Sequence, residues 1–157
     1  MAVKTKRRAF TLVEILIVVV ILGILAAIVI PKFANASIDA KRNGLSSSLQ
    51  SLRAQIELYM IQHGNTSPPI SGTDWTSLTD TSTYSGKQVG PYVTVSPTNQ
   101  LNGFSSVLVV NTDQVAGGAV ATPGTGFVFN SINGKLWATN TAGDKVYNQG
   151  DPTDPNN

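Results

Sequence analysis

The chain has 157 residues, of which 13% are charged and none is cysteine, and its formal net charge is +2. This length accommodates one small soluble domain beside a long helix, and without cysteine no disulfide holds that domain together. The chain has one histidine and lacks a Gly-x-Ser-x-Gly elbow and a phosphate-binding loop, so we expect neither enzymatic activity nor an organic cofactor. From Gly64 onward three lysines face six aspartates, a balance that argues against a nucleic-acid-binding surface.

An apolar run occupies residues 10–30 and follows a basic start made by Lys4, Lys6, Arg7 and Arg8. At about 1.5 Å per residue, a helix of this length spans the roughly 30 Å hydrocarbon core of a bilayer. The positive-inside rule keeps the basic start in the cytoplasm, so we expect the rest of the chain on the other side. The sequence therefore predicts a single-pass membrane protein with an external C-terminal domain.

Glu14 is the only charged residue within the apolar run. A carboxylate near the centre of a bilayer costs about 2.5–3.5 kcal/mol, so Glu14 needs a partner. Two ordinary interpretations give it none: a secretory signal cleaved after Ala34-Asn35-Ala36, and a plain uncleaved anchor. The apolar part of a secretory signal is about 7–15 residues long, which residues 10–30 exceed. A third interpretation is an anchor in which Glu14 serves assembly.

The helical pattern resumes after Pro31, in residues 32–63. Pro31 lacks an amide donor and Gly44 holds helix poorly, so we expect a bend or local loosening at both. Gly64 should end the helix, and we interpret His63 as a cap or surface residue rather than a ligand. One face of this amphipathic segment is apolar and is predicted to pack on the C-terminal domain. Its members are Leu45, Leu49, Leu52, Ile56, Tyr59 and Met60.

Residues 64–157 are rich in Ser, Thr, Gly, Asn and Pro with short apolar runs, which indicates a β-rich domain of turns and short strands. Within residues 70–83 we expect a loop with a short helical turn, packed through Trp75 and Leu78. The Asn-Gly pair at 133–134 predicts a two-residue hairpin turn. The predicted strands are residues 92–95, 107–110, 127–132 and 135–139.

A small antiparallel sheet laid on the outer half of the long helix is the smallest arrangement that buries the apolar faces of both. The predicted fold class is therefore α+β, with a helix that is transmembrane in its first half and amphipathic in its second. The sequence contains no internal repeat, so we expect a single globular domain after the helix.

The sequence AFTLVE at residues 9–14, followed by the apolar run, resembles the class III leader and first helix of type IV pilins and type II secretion pseudopilins. The resemblance implies that a membrane peptidase removes residues 1–9 by cutting between Ala9 and Phe10, and then methylates the amine of Phe10. Ala9 departs from the glycine that usually precedes the cut. Residues 10–31 then form the transmembrane and filament-core helix, and the family's α+β fold matches the predicted one.

Cleavage before Phe10 would create an amine one helical turn from Glu14, on the same face of the helix. We expect Glu14 to pair with this amine within one subunit, or with the amine of a neighbour in a helical stack. In the stack, the pair would fix the axial register of the subunits. Cleavage also removes four of the eleven basic side chains, which leaves seven against nine acidic ones.

The resemblance further implies a helical homopolymer, assembled from the bacterial inner membrane by a platform protein and a cytoplasmic ATPase, with the domain in the periplasm. The lack of cysteine removes the disulfide loop common in type IV pilins and favours a type II secretion pseudopilin. Major pseudopilins often bind calcium, for which Asp144, Asp151 and Asp154 are the candidate ligands. Two alternatives remain: a type IV pilin for adhesion, motility or DNA uptake, and a membrane-tethered binding domain that never polymerises.

Overall fold

The computed structural model describes residues 10–114, 118 and 122–147. The chain divides into two compact units, Met1–Asp39 and Ala40–Asn157. The first unit contains the apolar part of a long helix, and the second contains the sheets and the hydrophobic core.

Helix α1 (Leu12–Gln62) is continuous over 51 residues, which confirms the predicted long helix. It stays α-helical through Pro31 and Gly44, where the sequence favours a bend or loosening. A proline removes one backbone hydrogen bond, and this loss alone does not end so long a helix. Gly44 has a packing reason, because a Cβ at this position would overlap Oε1 of Gln100. The end of the flexible, exposed Gln100 side chain lies where that Cβ would be.

In the first unit, α1 is apolar on every side and none of its apolar stretch is buried. Large side chains such as Leu12, Ile24 and Phe33 are 83%, 59% and 72% exposed. Within the described part of the chain, α1 is the one helix long and apolar enough to cross a membrane. A helix that is hydrophobic all round requires an apolar surrounding, either lipid or other helices.

The second unit carries a short helix and two small sheets. Helix α2 spans Thr76–Thr79, and strand β1 (Ser82–Tyr84) pairs antiparallel with β2 (Lys87–Val89). Strands β3, β4 and β5 form a three-stranded sheet in that order. Their bounds are Val107–Val110, Phe127–Asn130 and Leu136–Ala138.

One face of the three-stranded sheet shares a single core with the outer half of α1. Phe127, Phe129 and Leu136 belong to this core, whereas Val128 and Trp137 lie in a separate cluster, as the two-residue period of a strand requires. The predicted packing residues are confirmed as buried, apart from Met60, which is partly buried. They are Leu45, Leu49, Leu52, Ile56, Tyr59, Trp75 and Leu78.

Three of the predicted strands are confirmed as β3, β4 and β5, and the helical turn predicted within residues 70–83 is α2. The predicted strand at residues 92–95 is wrong, because this segment bends. The backbone N–H groups of Tyr92 and Val93 both donate to the carbonyl oxygen of Leu78, at 2.8 and 3.0 Å. These amides therefore bond beside α2 and do not pair in a sheet.

The hairpin of β1 and β2 was not predicted from the sequence. Its strands are polar and largely exposed, so they lack the apolar alternation that identifies a strand. The available signal was Ser85-Gly86, which joins the strands with positive φ angles of 50° and 77° at its two residues. A two-residue connection with both φ angles positive is the turn that antiparallel strands favour.

The α+β fold class is confirmed, with one change in strand direction. The predicted antiparallel arrangement holds for β1–β2 and for β4–β5, whereas β3 and β4 run parallel. A parallel pair requires a crossover of about a dozen residues or more, and residues 111–126 provide that length. The larger sheet is therefore mixed.

The hairpin of β4 and β5 has a longer turn than the two residues predicted at 133–134. The backbone N–H of Asn130 donates to Lys135 O at 2.8 Å, and that of Gly134 donates to Asn130 O at 2.9 Å. Gly134 has a φ of 72°, but Asn133 is not among the residues with positive φ, as a type I′ turn would require. Oδ1 of Asn130 instead accepts the N–H of Ile132 at 2.9 Å and organises a four-residue loop.

The C-terminus of α1 is capped by glycine, as predicted. Gly64 has a φ of 64°, and the N–H of Asn65 donates to Met60 O at 2.7 Å, the long bond of a Schellman cap. His63, predicted to be a cap or surface residue, is not on the surface: it is 8% exposed. Its ring stacks on Tyr59 at a centroid distance of 3.8 Å, and β1 covers it. The cap prediction is confirmed, because Nδ1 of His63 bonds the carbonyl oxygen of Tyr59 in the last turn at 2.9 Å. The surface alternative is wrong because it did not include β1.

Candidate functional site

The first turn of α1 is closed by reciprocal hydrogen bonds between Thr11 and Glu14. The hydroxyl oxygen of Thr11 accepts the backbone N–H of Glu14 at 3.2 Å. In return, Oε2 of Glu14 accepts the backbone N–H of Thr11 at 3.2 Å and the Thr11 hydroxyl at 3.4 Å. This arrangement is a capping box, in which the two side chains supply acceptors for two N–H groups at the start of the helix.

The capping box gives Glu14 a structural role that was not predicted from the sequence. The available signal was Thr11-x-x-Glu14 before an apolar run, which is the usual capping-box pattern. An unpaired N–H group within a bilayer costs several kcal/mol, so the box suits a helix that begins at or in a membrane. A carboxylate in the first turn is also stabilised by the positive end of the helix dipole.

Glu14 keeps acceptor capacity for a second partner. A carboxylate offers about four acceptor positions on two oxygens. Among the described residues, only Oε2 carries a hydrogen bond. Glu14 and the neighbouring Phe10 are both exposed, Phe10 by 77%. A donor from another molecule therefore has access to the carboxylate while the capping box stays closed.

The predicted processing site lies at the limit of the described chain. Phe10 is the first described residue, and Ala9 lies outside the described residues. Phe10 precedes the helix, which begins at Leu12. Cleavage between Ala9 and Phe10 therefore stays a prediction from the sequence.

Of the candidate calcium ligands, Asp144 alone is among the described residues, because Asp151 and Asp154 lie outside them. The Oδ1 atom of Asp144 is buried and accepts no hydrogen bond there. The described ranges contain no group of three or more His, Cys, Asp or Glu side chains placed to hold a metal ion. One orphaned carboxylate oxygen fits a calcium ligand but does not form a site, so calcium binding stays a prediction.

Comparison with protein families matches residues 4–30 to the prokaryotic N-terminal methylation motif. The matched segment contains the basic start, the proposed cleavage position, the capping box and the whole apolar run. These N-terminal features therefore all lie within the segment that one family model matches.

Two kinds of curated relative resemble the chain over longer stretches. Prepilin peptidase-dependent protein D of Escherichia coli strain K12 is 31% identical over 114 residues, which cover 71% of this chain and 78% of that protein. Type II secretion system core protein G of Klebsiella pneumoniae is 36% identical over 58 residues, or 37% of this chain. The same protein of Pseudomonas aeruginosa is 35% identical over 60 residues, or 38% of this chain.

The matches to core protein G span 41% and 42% of the lengths of those two relatives, so they concern less than half of each protein. No solved structure matches the chain significantly. The match to protein D covers more than two thirds of both chains, so it extends well beyond the N-terminal helix.

The fold, the N-terminal motif and the relatives agree with one another. A long apolar helix leads into an α+β domain, the methylation motif lies at the start of that helix, and the protein D match covers most of both chains. The chain is a membrane-anchored structural protein rather than an enzyme, and it belongs to the family of type IV pilins and type II secretion pseudopilins.

Proposed function

We propose that this protein is the subunit of a type II secretion pseudopilus, cut between Ala9 and Phe10 and assembled into a helical fibre. The observation that carries the proposal is the unburied apolar part of α1, whose first turn holds an accessible carboxylate. Several relatives are named as type II secretion core proteins. Protein D of Escherichia coli is named as dependent on prepilin peptidase. The lack of cysteine favours the pseudopilin branch over the type IV pilins.

Before assembly, the subunit is held in the inner membrane with its basic start in the cytoplasm and its domain in the periplasm. This orientation rests on Lys4, Lys6, Arg7 and Arg8, which the positive-inside rule retains in the cytoplasm. In lipid, the apolar side chains of α1 are surrounded by acyl chains. The capping box then satisfies the polar groups at the start of the helix.

Cleavage changes the electrostatics of this start. Removal of residues 1–9 takes away the four leading cations and leaves one amine on Phe10. In a bundle of identical helices, this amine would reach the free oxygen of Glu14 in a neighbouring subunit. Opposite charges about 4 Å apart attract by about 4 kcal/mol at an effective dielectric constant of 20. The pair would therefore select one axial offset between neighbours.

Transfer from lipid to the bundle replaces acyl chains with helix side chains, so burial of apolar surface alone supplies little driving force. The work of extraction must come from outside the chain. We assign it to an inner-membrane platform protein and its cytoplasmic ATPase. The prepilin peptidase is the third expected partner.

A type IV pilin is the second candidate. It is favoured by the length of the match to protein D, whose name states dependence on prepilin peptidase and no secretion role. The two candidates share the processing and polymerisation steps and differ in what the fibre does.

Co-expression of the full-length chain with a prepilin peptidase, platform and ATPase should give surface fibres visible by electron microscopy. We expect a shorter subunit on immunoblots, because residues 1–9 are removed, and no fibres when the peptidase is omitted. A processed subunit that stays in the membrane as a monomer would contradict the proposal and support a tethered binding domain. Loss of protein secretion on deletion separates a pseudopilin from a type IV pilin.

A further inference from the structure

Arg53, on the outer half of α1, is a half-buried cation without an acidic partner among the described residues. Its Nε donates to the carbonyl oxygen of Leu136 in β5 at 2.9 Å. Burial lowers the pKa of Arg53, and no neighbouring carboxylate acts in the opposite direction. A guanidinium that has lost part of its water is stabilised when a carboxylate bonds to it.

A cavity of about 330 Å³ lies beside this guanidinium. It is bordered by Arg53, Asp113, Gln114, Lys135, Leu136 and Trp137. Lys135 forms an ion pair with Asp113, and hydrogen bonds from Lys135 and Asn133 hold the pKa of the Asp113 carboxyl below its usual range. These two charges cancel, so the net charge of the cavity is that of Arg53.

We propose that this cavity is a carboxylate-binding site, filled in the fibre by Glu57 from a second copy of the chain. The inference rests on the proposed polymerisation and adds a contact outside the apolar helix. A guanidinium is suited to this ligand, because its planar fork donates two parallel bonds to a carboxylate. The half-buried indole of Trp137 lines the site, where it would limit access of water to the pair.

Glu57 is selected because the other described acids are engaged or partly covered. Glu14 bonds Thr11, Asp74 bonds Thr76, Asp80 bonds the Thr79 hydroxyl and Asp113 bonds Lys135. Asp39 has an interaction partner, and Asp144 is half-buried. Glu57 is exposed and shows no hydrogen bond or ion pair in the described structure.

Glu57 of the same subunit does not fill the site, although it lies one turn from Arg53 on α1. The order Arg before Glu at a spacing of four residues is the weaker orientation for a pair within one helix. Arg53 is held instead at Leu136 O. Each subunit therefore presents one unpaired cation and one unpaired acid on the same half of its helix, which suits contact between copies.

The first test measures the amount of sheared fibre per total subunit after co-expression with the assembly proteins. Arg53→Gln and Glu57→Gln should each reduce the fibre by at least about tenfold, since each variant leaves one charge of the proposed pair without its partner. Arg53→Lys should give an intermediate fibre yield, because lysine keeps the positive charge but lacks the planar guanidinium that donates two parallel bonds. Lys87→Gln, which removes an exposed cation from β2, is the matched control and should leave the yield unchanged.

The second test exchanges the charges between copies. Arg53→Glu and Glu57→Arg should each prevent assembly when expressed alone, and mixed fibres should form when the two variants are expressed together. Rescue in trans supports a contact between subunits. If the two variants together are as defective as either alone, the pairing of Arg53 with Glu57 is wrong.

Thermal unfolding of each variant in detergent separates assembly from folding. Because Glu57 is exposed, Glu57→Gln should have the same unfolding temperature as the native chain. If an Arg53 variant has a lower unfolding temperature, the fibre yield of Glu57→Gln decides the test. If the native chain itself forms no fibre, the proposed function fails. If the native chain forms fibres and both Gln variants match its yield, this inference alone is overturned.

Discussion

Replacement of Glu14 with alanine should abolish fibre formation while leaving the membrane anchor and the globular domain in place. In the proposed fibre, this change leaves the amine of a neighbouring Phe10 without its carboxylate. Loss of one member of a buried ion pair costs about 3–5 kcal/mol, which corresponds to more than about a hundredfold in each contact. We expect sheared fibre to fall below detection on immunoblots, with the total amount of membrane-bound subunit unchanged.

The capping box allows the charge of Glu14 to be separated from its role in the helix. Glu14→Gln keeps an oxygen that can accept the backbone N–H of Thr11, since glutamine also serves in capping boxes, but it removes the charge. Thr11→Ala keeps the charge and removes the cap, at a cost of about 0.5–2 kcal/mol. We expect Glu14→Gln to be as defective as Glu14→Ala, and Thr11→Ala to assemble at reduced yield.

The opposite ranking of fibre yields for Glu14→Gln and Thr11→Ala would give Glu14 a different role. If Glu14→Gln assembles normally and Thr11→Ala does not, Glu14 acts only as a helix cap and no charge pair sets the register. Ile17→Ala, a neutral change on the exposed apolar helix, is the matched control for altered packing.

Replacement of Trp75 with alanine should destabilise the globular domain more than other single truncations. Trp75 is 1% exposed, and its ring meets that of Phe127 edge to face at a centroid distance of 5.6 Å. Its indole N–H donates to Ser105 O at 2.8 Å. Truncation of a buried aromatic residue costs about 3–5 kcal/mol, and small domains have a total stability of about 5–15 kcal/mol.

Denaturant unfolding of the purified protein, followed by circular dichroism, measures this loss of stability. Trp75→Phe is the control: it retains most of the apolar volume and loses the bond to Ser105, so the loss should be smaller. Ile132→Ala, in the exposed hairpin loop, should have little effect. A free energy of unfolding for Trp75→Ala within about 1 kcal/mol of the native value would contradict the described core.

The features predicted correctly are those with a local and repeated signal. The stripe from Leu45 to Tyr59 follows the helical period over several turns, and all five of its predicted positions are buried. Gly64 ends the helix because a glycine with positive φ is the usual residue after the last turn. Strands β4 and β5 are rich in aromatic and branched side chains and flank an Asn-Gly pair, so the hairpin was identified although its loop is longer.

The features predicted wrongly depend on contacts distant in sequence. Residues 92–95 have the composition of a strand, but their amides bond to Leu78 O and leave no strand partner. The parallel direction of β3 and β4 has no signal in the sequence, because the composition of the two strands fits either direction. His63 is buried because β1 covers it, and β1 itself is too short and polar to show a pattern.

The candidate site was predicted in part. Glu14 was identifiable without a structure, because a charge within an apolar run is costly. The role of Thr11 was not predicted, because it follows from the unpaired N–H groups of the first turn and not from the charge of Glu14. The cavity beside Arg53 had no sequence signal at all, since it depends on how the hairpin of β4 and β5 packs on α1.

Mass spectrometry of the N-terminus of the subunit, isolated from cells that contain the peptidase, tests the proposed processing and charge pairing most directly. We predict a first residue of Phe10 carrying one additional methyl group on its amine. A chain that begins at Met1 or at Ser37 would contradict both proposals, because Glu14 would then lack the amine that it is proposed to neutralise in its neighbour.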